Sequence, residues 1–371
     1  MKIKNFKLER FYAKYEFTVP FMLSSSDAES FEIKKLLELE KGATEKFFEM
    51  KLSYTESQGN IELRNQIATL YRFISPDNII VFSGAEEGIF VFINSILEEG
   101  DHVIVQYPAY QSLYEVCKAN KIEVSYLQMI EAENWRLDIN NIENLVQNNT
   151  KAILINSPHN PTGYLVTKEE QVTILEICQK NDIILFSDEV YRFSEYNEEL
   201  RLVSACDLYR KGISLGVLSK PFGLPGLRIG WLALKNSALK KPIQAFKDYT
   251  TICNSGPSEF LATIAIKHSK RLLSRNMDII LKNLQELEVF LKKFSNHFEW
   301  VKPLAGNIGF IKIKFSNEVE NFVEDVIKRK GVLLLPSTVF DYDNSHFRIG
   351  FGKENFSEAL YLLEQYVKEN L

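Results

Sequence analysis

Cysteine is scarce and scattered. The 371 residues include four, Cys117, Cys178, Cys206 and Cys253, with no C-x-x-C pair among them. That spacing argues against a zinc site and a disulfide framework and fits a reducing cytosol. An excess of positive charge is also missing. Lys and Arg number 44 against 49 Asp and Glu, for a net charge of −5, and the two signs are interspersed. Nucleic acid and anionic membrane are therefore not expected as partners. No uncharged apolar run reaches the 18 residues a membrane helix needs. The longest candidate, "ISLGVLSKPFGLPGLRIGWLAL" (213–234), is interrupted by Lys220, Arg228 and two prolines. The opening "MKIKNFKLERFYAKYEF" carries lysines but also Glu9 and Glu16, and no apolar stretch follows it, so it does not read as a signal peptide. Internal repeats, low-complexity segments and flexible linkers are absent as well.

What is present is alternation. "NIIVFSG" (78–84), "HVIVQYP" (102–108), "KAILINSP" (151–158), "DIILFSDE" (182–189) and "ISLGVLSK" (213–220) are short apolar runs with strand character. Between them lie stretches with helical spacing, such as "EEGIFVFINSIL" (86–97), "QSLYEVCKAN" and the Thr-capped "TKEEQVTILEICQKN". Strands fed by helices imply an α/β fold with a mostly parallel sheet covered on both faces. The first helix is expected about 30 residues into the chain. Residues 257–295 stay helical throughout, and "GFIKIKF", "VEDVIKRKGVLLLP" and "FRIGFG" read as a smaller α/β unit. The expected division is a large domain over 45–255 and a small one made of 256–371 with the N-terminal segment 1–44.

In an open parallel sheet, ligands bind at the carboxyl ends of the strands. Those ends carry "SGAEEG", "NSPHNPTG", "SDEVYR" and "SK". Asn160, Asp188, Tyr191 and Lys220 should thus converge on one crevice. Taken singly, an Asp after a strand is a helix cap and a Lys is solvated; four such residues at strand exits ask for a common purpose. An amine nucleophile, a buried carboxylate and a phosphate seat at a helix start together suit pyridoxal 5'-phosphate. Lys220 would form an imine with the aldehyde. Asp188 would pair with the ring nitrogen, and Tyr191 and Asn160 would reach the ring oxygen. The amides of Ala85 and Glu86 would seat the phosphate, helped by Ser219 and by Arg228 folded back over the "PFGLPGL" turn. Glu86 and Glu87 put negative charge near that anion, so their side chains should point away.

"NSPHNPTG" (156–163), "SDEVYR" (187–192) and "LSKPFGLPGLRIGW" (218–231) resemble the class I/II aminotransferase family, the fold-type I pyridoxal-phosphate enzymes. "YTESQGNIELR" (54–64) and "HFRIGFG" (346–352) extend the resemblance over nearly the whole chain. The resemblance implies that Lys220 carries the Schiff base and shuttles the proton, and that Tyr110 stacks on the ring. It implies that Arg348, with Asn160 beside it, grips the substrate carboxylate. It also implies that Tyr54 reaches the phosphate of a neighbouring subunit, which makes the working unit a cytoplasmic homodimer. The implied reaction moves an amino group between an amino acid and a 2-oxo acid. There are departures. Val217 stands where the family often has a phosphate-binding Ser or Thr. "FMLSSSDAES" (21–30), "PLAGNIGF" (303–310) and "GVLLLPSTVF" (331–340) are more similar to a branch that includes capreomycidine synthase-like proteins. That branch leaves open a lyase or cyclase acting at Cβ. Ser24, Ser25, Ser26 and Asp27 either line the substrate pocket, where an Asp suits a cationic or polar side chain, or cap a helix over "SSSDAESF".

Overall fold

The strand-forming runs pair into one eight-stranded sheet in the computed structural model, which describes residues 2–316 and 318–371. In chain order its strands are β1 (Ile79–Phe82), β2 (His102–Tyr107), β3 (Glu123–Ile130), β4 (Arg136–Leu137), β5 (Thr150–Asn156), β6 (Ile184–Asp188), β7 (Gly212–Val217) and β8 (Gly230–Leu234). The spatial order is β1-β8-β7-β6-β5-β2-β3-β4. The five strands from β7 across to β3 run parallel, while β8 is antiparallel to both its neighbours and β4 to β3. Both faces are buried, as the unbroken apolar runs require. Val103, Val105, Leu154, Ile184 and Phe186 enter one core, and Ile104, Ile153, Ile155 and Leu185 enter the other.

Two strands lack a simple sequence signature. β3 reads "EVSYLQMI", with Glu123 and Gln128 exposed and only Leu127 and Met129 buried. β8 lies inside the Gly- and Pro-rich stretch after Lys220, where pairing along both edges, not local propensity, makes it a strand. The helical stretch expected over 257–295 divides at His268 into helices Gly256–Lys267 and Ser269–Lys293.

A smaller sheet, wholly antiparallel, follows in the C-terminal third: β9 (Phe298–Trp300), β10 (Ile308–Ile313), β11 (Leu335–Pro336) and β12 (His346–Gly350), in the order β9-β10-β12-β11. Helices Ser269–Lys293, Val319–Lys330 and Phe356–Asn370 cover it and share its core.

The N-terminal segment departs from expectation. A helix, α1 (Lys7–Tyr15), precedes the anticipated start by more than 20 residues. Leu8, Phe11, Tyr12 and Tyr15 lie at helical spacing, a signal too short to stand out alone. Conversely, no helix forms over "SSSDAESF"; the next one is Ile33–Leu37. Tertiary partners take the backbone groups a helix would have used. The Gly350 N–H donates to the Leu23 carbonyl at 2.5 Å, and the Ala28 N–H donates to the Lys220 carbonyl at 3.1 Å. A Cβ on Gly350 would lie 1.8 Å from the Ser25 carbonyl oxygen, so only glycine admits this segment.

Close backbone approach also shapes the first turn of the large sheet. Gly84, at φ +92°, ends the β1 exit, and α2 (Ala85–Ile96) begins at the next residue. A Cβ on Gly230 would meet the Gly84 carbonyl carbon at 2.7 Å and the Ala85 nitrogen at 2.8 Å. Both are backbone and have nowhere to move. Gly230→Ala is expected to cost about 1–3 kcal/mol of stability in urea denaturation of the cofactor-free protein. Cofactor affinity should fall with it, because the displaced backbone is the start of α2.

Candidate active site

The carboxyl ends of β1, β2, β5, β6 and β7 open on one cavity of about 340 Å³. Ala85, Glu86, Tyr110, Asn160, Asp188, Tyr191, Ser219, Lys220, Arg228 and Arg348 all line it, as do Ser25, Ser26 and Asp27. Tyr54 does not; it is 88% exposed on the surface.

Lys220 is held from two sides. Its carbonyl accepts the Ala28 N–H, and its Nζ donates to Ser26 Oγ at 2.8 Å. The ammonium also lies 5.8 Å from the centre of the Tyr191 ring. Burial drives the Lys220 pKa below the ordinary lysine value, because a charged ammonium is poorly solvated there. Asp188 is 4% exposed, and its Oδ1 accepts only the Val190 N–H, at 3.2 Å. Burial lifts its carboxyl to about 7.

Asn156, which the motif reading passed over, ties three strand exits together. Its N–H donates to Gln106 Oε1 at 2.8 Å, its Nδ2 donates to the Asp188 carbonyl at 3.0 Å, and its Oδ1 accepts the Asn160 N–H at 2.7 Å. His159 braces the same loops. Burial pushes its imidazole down to about 3, so it is neutral. Nε2–H donates to the Pro108 carbonyl, and Nδ1 accepts from Thr162 Oγ1, each at 2.8 Å.

Around the Gly84 turn, Arg228 does fold back. A Cβ on Gly84 would lie 2.4 Å from Arg228 Nη2, so the guanidinium rests on the turn at the start of α2. Ser112 Oγ donates to Glu86 Oε1, which turns that oxygen toward Ser112, and burial raises the Glu86 pKa. Val217 lines the cavity with an apolar side chain and brings no donor.

Arg348, on β12, is 1% exposed. Nη1 donates to Asn160 Oδ1 at 2.9 Å, and Nη2 donates to Tyr12 Oη at 2.8 Å and to the Ser24 carbonyl at 2.7 Å. Tyr12 in turn donates to that carbonyl at 2.9 Å. Tyr12 went unread in the sequence because α1 did. Asp27 is bound by Lys353 Nζ at 2.6 Å. Burial pushes Asp27 upward, yet Lys353 and Lys220 outweigh it and hold the carboxyl below its usual range.

Pyridoxal phosphate fits this donor set on grounds internal to the structure. Among the described residues, neither the buried Tyr191 hydroxyl nor the buried Arg348 Nε has a hydrogen-bond partner. No cation is bound to the Asp188 carboxyl among the described residues, and a pyridinium nitrogen would supply that partner. The Gly84 cradle presents the first amides of α2 beside a guanidinium.

Asp188 sets a pH dependence. Between about pH 4 and pH 7 the folded chain retains this proton and the unfolded chain does not. Its contribution to stability therefore falls as pH rises through that window. In the cofactor-free protein, Asp188→Asn is expected to remove that fall. At pH 8 it should be more stable than the unaltered chain by at least about 1 kcal/mol, as melting curves from pH 4 to 8 would show.

Comparison with known proteins agrees with this geometry. The family described as "Aminotransferase class I and II" matches residues 23–361. An aspartate aminotransferase of Sulfolobus acidocaldarius is 27% identical over 86% of this chain and 80% of its own. A capreomycidine synthase of Streptomyces vinaceus is 24% identical over 80% of this chain and 75% of its own. A PLP-dependent aminotransferase structure from Streptococcus suis is 30% identical, covers 100% of this chain and 99% of its own, and superposes with a TM-score of 0.94. A match that runs from the segment beside Lys220 into the last helix has one meaning: the chain belongs to the class I and II aminotransferase family and is a pyridoxal-phosphate-dependent aminotransferase.

Proposed function

We propose that Lys220 is the amine that engages the cofactor and moves the proton between the two carbon atoms that exchange the amino group. The observation that carries this reading is the opening of Lys220, Asp188 and Arg348 onto one cavity. Bound pyridoxal phosphate supplies an aldehyde and an electron-accepting ring. The chain's own groups do the rest. Asp188 would pair with the ring nitrogen as a carboxylate and keep it protonated. The Tyr191 hydroxyl and the Asn160 amide nitrogen, neither bonded to protein, serve the ring oxygen. Ala85, Glu86, Ser219 and Arg228 hold the phosphate, and Tyr110 covers the ring face and excludes water. Arg348 would bind the substrate carboxylate and so fix the Cα proton within reach of Lys220. Burial lowers the Lys220 pKa and so favours the neutral, proton-accepting form of the amine.

The active unit in this reading is a cytosolic homodimer. Phe48, Leu52, Tyr54 and Tyr249 are each at least 80% exposed, surface that a partner subunit would cover. Tyr54 then completes the phosphate site of the partner. The four cysteines are all free thiols, in keeping with a reducing compartment.

Cofactor-loaded protein given amino acids one at a time should change absorbance to that of the aminated cofactor and return on addition of a 2-oxo acid. Lys220→Ala should carry no borohydride-reducible label at position 220 and lose activity by at least about a thousandfold. Release of ammonia without any oxo-acid acceptor would instead assign chemistry at Cβ. Light scattering should give twice the chain mass. Tyr54→Phe should weaken cofactor retention about tenfold without changing that mass; a monomeric, fully active enzyme would refute the shared site.

A further inference from the structure

Helix α1 turns one face to the cavity. Glu9, Tyr12 and Glu16 follow one another at spacings of three and four and all line it. Tyr12 is committed to Arg348. The two glutamates are not committed to any cation among the described residues. The lysines of the same helix point elsewhere: Lys7 pairs with Asp341, and Lys14 lies 3.7 Å from Glu324. Glu16 is also badly placed for the helix itself, since it caps the C-terminus, where the backbone dipole disfavours negative charge. Burial raises the Glu16 pKa, and the charged groups that add to the effect are Glu9 and Asp27. These costs fall on Glu16, which a counter-charge from outside the chain would relieve; Glu9 is solvent-exposed on the same face.

The charges around the cavity point the same way. Its lining holds the acids Glu9, Glu16, Asp27, Glu86 and Asp188 and the bases Lys220, Arg228 and Arg348. Asp27 is neutralised by Lys353, Asp188 serves the ring, and Glu86, beside the phosphate seat, gives Oε1 to Ser112 and keeps Oε2 buried without a partner among the described residues. Arg228 and Arg348 are reserved for the phosphate and the substrate carboxylate. Glu9 and Glu16 are left over. The acids alone would not define a ligand; Arg348 lines the same cavity, 1% exposed and with its Nε buried and unpartnered among the described residues, and so gives the cavity a cationic end for an anionic group. We propose that α1 selects the amino donor: Glu9 and Glu16 receive the cationic side chain, an ammonium or guanidinium, of an amino acid anchored through its carboxylate on Arg348. This rests on the amino-transfer reading above.

Binding to the cofactor-loaded enzyme tests it without turnover. 6-Aminohexanoate has a carboxylate and a distant ammonium but no α-amine to react; hexanoate lacks the ammonium. Calorimetry should find the first bound at least about tenfold more tightly. Glu9→Gln combined with Glu16→Gln should abolish the difference, with an unchanged circular dichroism spectrum showing that the variant folds. Lysine should likewise convert the cofactor with at least about tenfold greater efficiency than norleucine. Equal affinity for the two acids, or discrimination that survives the double substitution, overturns the proposal. If charge discrimination is seen in binding but no amino acid converts the cofactor, the amino-transfer reading fails and the cation site stands as a binding site alone.

Discussion

The active site depends on how one amine is taken out of water. Lys220 follows a buried parallel strand, and on that edge alone its ammonium would be open to solvent. The segment Phe21–Ala28 closes over it, hydrogen-bonded at one end to the Lys220 carbonyl and at the other to Gly350 of the small sheet. Ser26 accepts the Nζ proton, and burial lowers the pKa. A reactive lysine needs this: enough polar contact to be held, too little solvation to stay permanently charged. The glycine at position 350 makes the closure sterically possible.

Two further charges are managed by the same logic and with opposite outcomes. Asp188 is buried with a single backbone donor and rises to about 7. It is a carboxylate poorly satisfied by protein and suited to a cation arriving with a ligand. Arg348 is buried too, but it is bound by Asn160, Tyr12 and the Ser24 carbonyl, and only Nε lacks a partner. It is pre-oriented, so a carboxylate meets a fixed fork and little ordering remains to be done on binding. The large sheet supplies the first of these groups and the small sheet the second, and the cavity exists because the N-terminal segment bridges them.

Much of this was legible in the sequence. Short apolar runs alternating with helical spacing imply a mostly parallel sheet, and that sheet places its exit residues at one edge. Asn160, Asp188, Tyr191 and Lys220 meet in the cavity as the strand pattern requires. Asn156 was within reach of the same reasoning, lying one strand position before the loop that was read, but its role is to bond neighbouring strand exits and shows only once the strand order is known. The capping pattern in "SSSDAESF" pointed to a helix that does not form, because long-range carbonyl and amide partners satisfy that backbone better than a helical turn would.

The sequence by itself determined the large sheet's parallel character, the cofactor chemistry and the residues at the strand ends. These follow from local periodicity and from side chains whose chemistry has few other uses together. Tertiary structure alone decided what faces the substrate: α1 over the cavity, Tyr12 on Arg348, Glu9 and Glu16 at the rim, Asp27 neutralised by Lys353. Those contacts join positions more than 300 residues apart in the chain. No local pattern encodes such a meeting, because its geometry is set by how two sheets and a terminal segment pack and not by the propensities of the residues that meet.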